Sequence, residues 1–207
     1  MAEKISVIII TRNREKMLSG CLESLVKQTR LPDEVVVVDN ASTDKTKKIV
    51  LSFAKKLPIL YSYEKQIGMP YARNKGIKET SGTLLLMLDD DCEADRSWIE
   101  RMVAAHKKYP KAWVIQGRTF SSPETLLYSL LAEFHRFLYL RGCVKLHPLK
   151  MKNFFNKGFR TEVEFLVCNT QNLSIRTSYL KKHKLSFDER FYRGADTDFS
   201  KQILQKK

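Results

Sequence analysis

Leu84-Leu85-Leu86-Met87-Leu88-Asp89-Asp90-Asp91 is an apolar run of strand length that ends, without transition, in three carboxylates. A strand buried on both faces of a parallel sheet reads as a continuous apolar run, and open α/β sheets bind ligands beyond the carboxyl ends of such strands. The acids therefore stand where a site is expected. Side chains alternate along an extended backbone, so Asp89 and Asp91 are expected on one side and Asp90 on the other. Two hard oxygen donors so placed suit Mg²⁺ or Mn²⁺, which takes one or two protein carboxylates and fills its sphere with phosphate and water. The competing reading is local: an acidic turn, one Asp of which caps a helix beginning near Asp95 or Arg96.

The segments upstream repeat one pattern. Ile5 to Ile10 reads as a strand, and Met17, Leu18, Cys21, Leu22, Leu25 and Val26 follow at helical spacing until Leu31-Pro32. Val35 to Val38 is a second strand running into Asp39-Asn40. Ser42 or Thr43 is expected to cap a helix whose buried face is Ile49, Val50, Phe53 and Ala54, and Ile59-Leu60-Tyr61 is a third strand after Pro58. Pro70 opens a further helix, which Gly82 is expected to end before the Leu84 strand. Beyond the acids, Trp98, Ile99, Met102 and Val103 form a helical stripe and Ala112 to Gln116 a short strand. Such alternation predicts an α/β fold with a mostly parallel, Rossmann-like sheet flanked by helices.

The chain has 207 residues and a net charge of +14, with apolar and charged fractions of an ordinary globular protein. That length fits a single domain. Neither a cleavable leader nor an apolar run of membrane-spanning length is legible, so a cytoplasmic location is expected. Cys21, Cys92, Cys143 and Cys168 are too scattered for a zinc or C-x-x-C motif and read as reduced structural thiols. His106, His135, His147 and His183 show no metal-binding spacing. The positive charge points to an anionic partner or to simple solubility, and the basic residues carry no motif for reading nucleic acid.

After Ser121-Ser122-Pro123 the character changes. Leu126, Leu127, Leu130, Leu131, Phe134, Phe137 and Leu138 make an apolar helical face, and residues 141–160 add six Lys or Arg, no acid, and Phe154, Phe155 and Phe159. This is either a core helix with a solvated loop or an interfacial segment touching the inner face of a membrane through residues 126–160. Glu164 to Val167 and Asn172 to Ile175 read as short strands, and Asp196 to Gln205 as a last helix.

Four motifs, in order and in register, resemble the family 2 glycosyltransferases, nucleotide-sugar-dependent enzymes of GT-A fold: Val7-Ile8-Ile9-Ile10-Thr11-Arg12-Asn13, Val38-Asp39-Asn40-Ala41-Ser42-Thr43-Asp44, Ala72-Arg73-Asn74-Lys75-Gly76 and Leu88-Asp89-Asp90-Asp91. A fifth, Asn172-Leu173-Ser174-Ile175-Arg176 followed by Phe187-Asp188-Glu189-Arg190-Phe191 and Gly194-Ala195-Asp196-Thr197-Asp198, is similar to the acceptor side. The resemblance implies a nucleotide-sugar-binding half in residues 1–120 and a smaller acceptor-side half of the same domain in residues 121–207. It implies that Thr11, Arg12, Asn13, Asp39, Arg73, Asp89 and Asp90 bind the donor, with Asp39 on base and ribose and Arg73 near the diphosphate. Asp91 with Asp89 would hold Mn²⁺ or Mg²⁺, and Asp196 would be the catalytic base, worth ~10²–10⁴ in rate. The implied reaction is inverting transfer of a sugar from a UDP- or dTDP-sugar to a hydroxyl on a glycan, lipid-linked or polysaccharide acceptor.

The chain departs from the family pattern at four places. Arg12 stands where Tyr is usual, Asn40 replaces a frequent Asp as in the rhamnosyltransferase-like branch, Ala195 replaces a Glu, and Lys206-Lys207 stops short of a further strand and helix that often supply a metal-binding His. Two rivals are a nucleotidyltransferase, disfavoured because Thr11-Arg12-Asn13-Arg14 lacks glycine, and a non-catalytic nucleotide-sugar-binding or membrane-docking module.

Overall fold

The Leu84 run lies inside a six-stranded sheet in the computed structural model, which describes residues 3–117, 119, 170–191 and 194–206. In chain order the elements are β1 (Ile5–Thr11), α1 (Glu15–Val26), β2 (Glu34–Asp39), α2 (Thr46–Ser52), β3 (Ile59–Tyr63), α3 (Met69–Glu79), β4 (Leu84–Leu88), α4 (Trp98–Lys108), β5 (Val114–Gln116), β6 (Asn172–Arg176), α5 (Thr177–His183) and α6 (Ala195–Gln205). The strand order is β3-β2-β1-β4-β6-β5. β1 to β4 pair in parallel, β6 is antiparallel to β4, and β5 is antiparallel to β6. This is the expected mostly parallel α/β architecture. Expectations for residues 126–160, for a strand at 164–167, and for Cys143, Cys168, His135 and His147 fall outside the described residues.

Alternation along the buried strands sorts the core into two layers. Ile5, Val7 and Ile9 of β1, Val35 and Val37 of β2, and Leu84, Leu86 and Leu88 of β4 pack against Leu18, Leu22 and Leu25 of α1 and Ile99, Met102 and Val103 of α4. Their neighbours Ile8, Val36, Val38, Leu85 and Met87 face the opposite layer, with Ala72 of α3, Tyr179 and Leu180 of α5, and Phe199 of α6. Because both faces are covered, β4 has no polar residue at all, which is why its sequence reads as an unbroken run. Phe187 and Phe199 stack with ring centroids 4.2 Å apart and lock α6 against the sheet.

Three local expectations are corrected. Met17 is exposed, and Ser24 takes a buried place on α1 instead, its hydroxyl donating to the Cys21 carbonyl at 2.6 Å. The start of α2 is held by Asp44, not by Ser42 or Thr43: its carboxylate accepts from the Thr46 amide at 3.0 Å. Gly82 does not end α3, which stops at Glu79. A Cβ at Gly82 would lie 2.8 Å from the Lys4 carbonyl and against the Ser6 hydroxyl, so glycine is required where the chain turns in beside β1. Gly76 is required in the same way, since a Cβ there would stand 2.8 Å from Ile8; its absence lets α3 lie close on the sheet.

His106 is the buried ionisable side chain of α4, with Nε2 2.9 Å from the Ser174 hydroxyl. Burial, reinforced by nearby Arg176, lowers its pKa from 6.5. The unfolded chain takes up this proton first as pH falls, so the stabilisation is complete above about pH 6.5 and is lost as pH drops toward the folded value. In urea melts between pH 7.5 and 5.5, His106→Gln should lose less stability than the wild type, though it starts lower for want of its Ser174 contact. Parallel losses in the two proteins would remove His106 as the cause.

Candidate functional site

Parallel pairing brings the ends of β1, β2 and β4 to one edge of the sheet. Thr11 pairs in register with Asp39, and the Asn40 amide continues the ladder to the Thr11 carbonyl at 2.9 Å. The antiparallel β6 begins at the same edge, where Asn172 pairs with Leu88, so Thr170 arrives beside the acids. The second turn of α3 adds Arg73 and the first turn of α6 adds Asp196. The edge thus collects Thr11, Asp39, Arg73, Asp89, Asp90, Asp91 and Asp196, of which Arg73 and Asp196 alone are 123 residues apart in sequence.

Alternation stops at Leu88. The chain turns immediately after Asp89, with the Cys92 amide donating back to the Asp89 carbonyl at 3.1 Å. The expected division, with Asp90 facing away from Asp91, is therefore corrected: both accept from Nη1 of Arg14, at 3.0 Å for Asp90 and 3.1 Å for Asp91. Asp90 is buried while Asp91 is exposed. None of the three caps α4, whose entry is shaped by Asp95 through the Ser97 amide at 3.0 Å. Arg14 was not singled out from the sequence. Its only signal there is a cation four residues after the first strand in a chain with three acids to neutralise.

Asp89 faces a different cation. It lines a small hollow with Arg73, Thr170, Ile8, Ile10, Met87 and Leu88. Burial raises its pKa to about 6, with Asp91, Asp196 and Asp90 adding repulsion and Arg73 opposing them. Burial also raises Asp90, against the pull of the Thr11 hydroxyl and Arg14. The crowding is chemically suited to a divalent cation: the donors are hard oxygens, and their negative charge exceeds what Arg14 and Arg73 neutralise. Among the described residues, no three His, Cys, Asp or Glu side chains form a metal-binding cluster. One or two carboxylates suffice for Mg²⁺ or Mn²⁺, so the residues fit such an ion with phosphate and water as its remaining ligands.

Arg73, expected near a diphosphate, is buried and faces the expected base. Nη1 donates to Asp196 Oδ1 at 2.6 Å, Nη2 donates to the Thr170 hydroxyl at 2.6 Å, and the guanidinium lies 5.0 Å from the Phe187 ring centroid. The next residue, Asn74, clamps the Phe187 backbone with two hydrogen bonds of 2.8 Å, one from its amide nitrogen to the carbonyl and one from the Phe187 amide to its oxygen. Burial raises the Asp196 pKa against the pull of Arg73 and Thr170. Oδ1 is committed to Arg73, whereas Oδ2 has a 3.4 Å contact to Thr170. Ala195 is buried in the layer with Phe187 and Phe199, a place suited to a small apolar side chain.

The loops after β1 and β2 are tied to one another. Asp39 is buried; Oδ1 accepts from the Ser42 amide at 2.9 Å and Oδ2 from the Tyr61 hydroxyl at 2.8 Å, leaving each oxygen a further lone pair. Asn13 donates its backbone amide to Ser42 Oγ at 2.9 Å and accepts from the Thr43 amide at 2.7 Å, so its side chain positions loops. It adopts φ +53, and Ala41 φ +58, a left-handed conformation that alanine seldom takes. Arg12 is exposed at the rim. Asn40 is occupied within the protein: Nδ2 donates to the Glu64 and Gln66 carbonyls at 3.3 and 2.6 Å, and Oδ1 accepts from the Gly68 amide at 2.8 Å. Its departure from Asp is thus explained by the β3–α3 loop, because a carboxylate has no proton for two carbonyls.

Residues 6–181 match the model of glycosyl transferase family 2. The chain belongs to this family. The fold is GT-A, and the nucleotidyltransferase reading falls. Among curated relatives, this family 2 chain is 36% identical over 138 residues to validoxylamine A glucosyltransferase of Streptomyces hygroscopicus subsp. limoneus, covering 63% of the chain and 30% of that protein. It is 41% identical over 105 residues to glycosyltransferase AglE of Haloferax volcanii, covering 48% and 34%. S. aureus TarS 1–349 in complex with UDP superposes with TM-score 0.68 at 23% identity, over 95% of this chain and 54% of that one. Mannosyltransferase PcManGT of Pyrobaculum calidifontis, in complex with GDP-Man and Mn²⁺, superposes with TM-score 0.69 at 19% identity, over 99% and 52%. The chain spans about a third of the length of these curated relatives and about half of the solved structures.

Asn40→Asp should destabilise the chain by about 1–3 kcal/mol at neutral pH, since it turns two donated hydrogen bonds into carboxylate–carbonyl repulsions at a buried site. Arg73→Met should cost about 3 kcal/mol, less than a fully enclosed pair would lose because Asp196 is 30% exposed. Denaturant midpoints measure both. Wild-type stability in Asn40→Asp would show that the β3–α3 loop does not rely on these bonds.

Proposed function

We propose that this chain is the donor-binding and catalytic core of an inverting glycosyltransferase that moves a sugar from a nucleotide diphosphate to an acceptor hydroxyl. The observation that carries the reading is the acid-lined edge itself, where Asp39, the Asp89–Asp91 triplet and the Arg73–Asp196 pair converge in a family 2 chain. Asp39, with one free lone pair on each oxygen, accepts hydrogen bonds from base and ribose. Arg12 lies at the rim, where a guanidinium can stack on the base. Asp91, with Asp89, holds a divalent ion. That ion, Mn²⁺ or Mg²⁺, supplies charge neutralisation for the departing diphosphate.

The acceptor oxygen forms a bond to the anomeric carbon on the face opposite the diphosphate, whose carbon–oxygen bond breaks, while Asp196 takes the acceptor proton. Asp196 suits this role for a geometric reason. Arg73 fixes its orientation through Oδ1, and burial makes the carboxylate a better base than one in water. The positive charge developing at the anomeric carbon is met by the surplus of carboxylates at the edge. A UDP or dTDP donor and a glycan, lipid-linked or polysaccharide acceptor remain within this proposal, as does a role at the cell envelope. Support for the nucleotide comes from the UDP and GDP-Man complexes of similar folds.

Melting temperatures with UDP, dTDP or GDP, each with and without Mn²⁺, test the reading through ligand linkage. A rise with at least one nucleotide, enlarged by Mn²⁺, is expected; no rise with any of them overturns the donor assignment. Asp91→Ala should abolish the Mn²⁺-dependent part and keep the fold, because its exposed carboxylate packs against nothing in the core. Asp39→Ala should weaken binding with or without metal by about tenfold to a hundredfold, the value of a charged hydrogen bond. An Asp39→Ala defect confined to Mn²⁺-containing samples would move Asp39 to the metal site.

A further inference from the structure

The end of the sheet opposite the acids carries a second charged surface. β4 runs from Leu84 at that end to Leu88 at the acid edge, a separation of ~13 Å at about 3.3 Å per residue. β6 runs the other way and ends at Arg176, whose amide donates to the Trp113 carbonyl at 2.9 Å and whose Nη2 donates to the His106 carbonyl at 3.2 Å. These bonds join the end of α4, the approach to β5 and the start of α5. The Trp113 ring stacks on Tyr179 at 5.4 Å and 17°, and Tyr179 meets His183 at 4.6 Å.

The two stretches joined in this way, residues 104–113 and 177–184, contain Lys107, Lys108, Lys111, Lys181, Lys182 and Lys184, and no acid. All six lysines are exposed, and Trp113 among them is 45% exposed. Arg176, beside them, is already neutralised by Glu3 at 2.9 Å. Compensation of helix dipoles accounts for cations in the last turns of α4 and α5. It does not account for Lys111 and Lys184, which lie past those turns, or for a large indole held in the open.

We propose that this face docks on an anionic lipid bilayer. Lysines act as hydrated point charges suited to a diffuse layer of headgroups, and an indole on its supporting ring is the side chain that settles at the boundary between headgroups and acyl chains. The lysines contribute long-range attraction and Trp113 a short-range anchor. Docking here leaves the acid edge at the far end of β4 free for donor and acceptor. The proposal uses none of residues 126–160 and does not depend on the catalytic reading.

Co-sedimentation with phosphatidylcholine vesicles, with and without phosphatidylserine, tests the proposal, together with tryptophan emission. The chain has two tryptophans, and Trp98 is buried, so a blue shift on binding reports Trp113. Retention on the phosphatidylserine vesicles only, weakened by salt and accompanied by a blue shift, is expected. The variant Lys107→Gln/Lys108→Gln/Lys181→Gln/Lys182→Gln should partition at least tenfold more weakly with an unchanged melting temperature, and Trp113→Phe should lose the blue shift. Wild-type retention of the four-lysine variant would place the contact elsewhere in the chain and overturn the proposal. So would equal binding to neutral vesicles, retention without a spectral change, or displacement of the bound protein by an equal charge of duplex DNA.

Discussion

The buried guanidinium of Arg73 is the constraint on which the rest of the acid edge depends. A cation in the core is tolerated only if its donors are occupied, and here Asp196 and Thr170 occupy them at 2.6 Å each while Phe187 covers its face. Those partners come from the segment before β6, the loop before α6 and α6 itself. Satisfying one charge therefore requires the later part of the chain to close onto the parallel sheet. Gly76 makes the arrangement possible by letting α3 approach β1, and Asn74 seals it by gripping the Phe187 backbone.

Charge at the edge is divided between two cations. Arg14 gathers Asp90 and Asp91, whereas Arg73 serves Asp196 and moderates Asp89. Four carboxylates against two cations leave a net negative pocket in a chain whose formal charge is +14. Overall sign and local sign are thus opposed. The positive surface attracts anionic partners in general, and the acidic edge requires a metal ion or a developing positive charge before a diphosphate can sit beside it.

Antiparallel β6 connects the two ends of the molecule that bear on function. It opens beside the acids at Asn172 and closes beside Trp113 at Arg176, so one strand of five residues fixes the position of both. Nothing in the parallel β-α-β pattern demands that strand; it enters because β4 would otherwise present an apolar edge to solvent.

The sequence by itself determined the parallel sheet, since continuous apolar runs separated by helical stripes admit few other packings, and it determined that acids stand at the strand ends. It placed Asp39 where the second apolar run ends, and the parallel register then set it beside Thr11. Tertiary structure alone decided how those acids are used. Strand alternation is a local rule and could not foresee the turn after Asp89, which brings Asp90 and Asp91 to the same arginine. Nor could spacing show that Arg73 reaches Asp196 across 123 residues, that Asn13 and Asn40 spend their amides on neighbouring loops, or that Asp44 replaces Ser42 at the head of α2. In each case the hydrogen-bond partner lies on another segment or is set by the path of a loop, and such partners are chosen by how the elements pack.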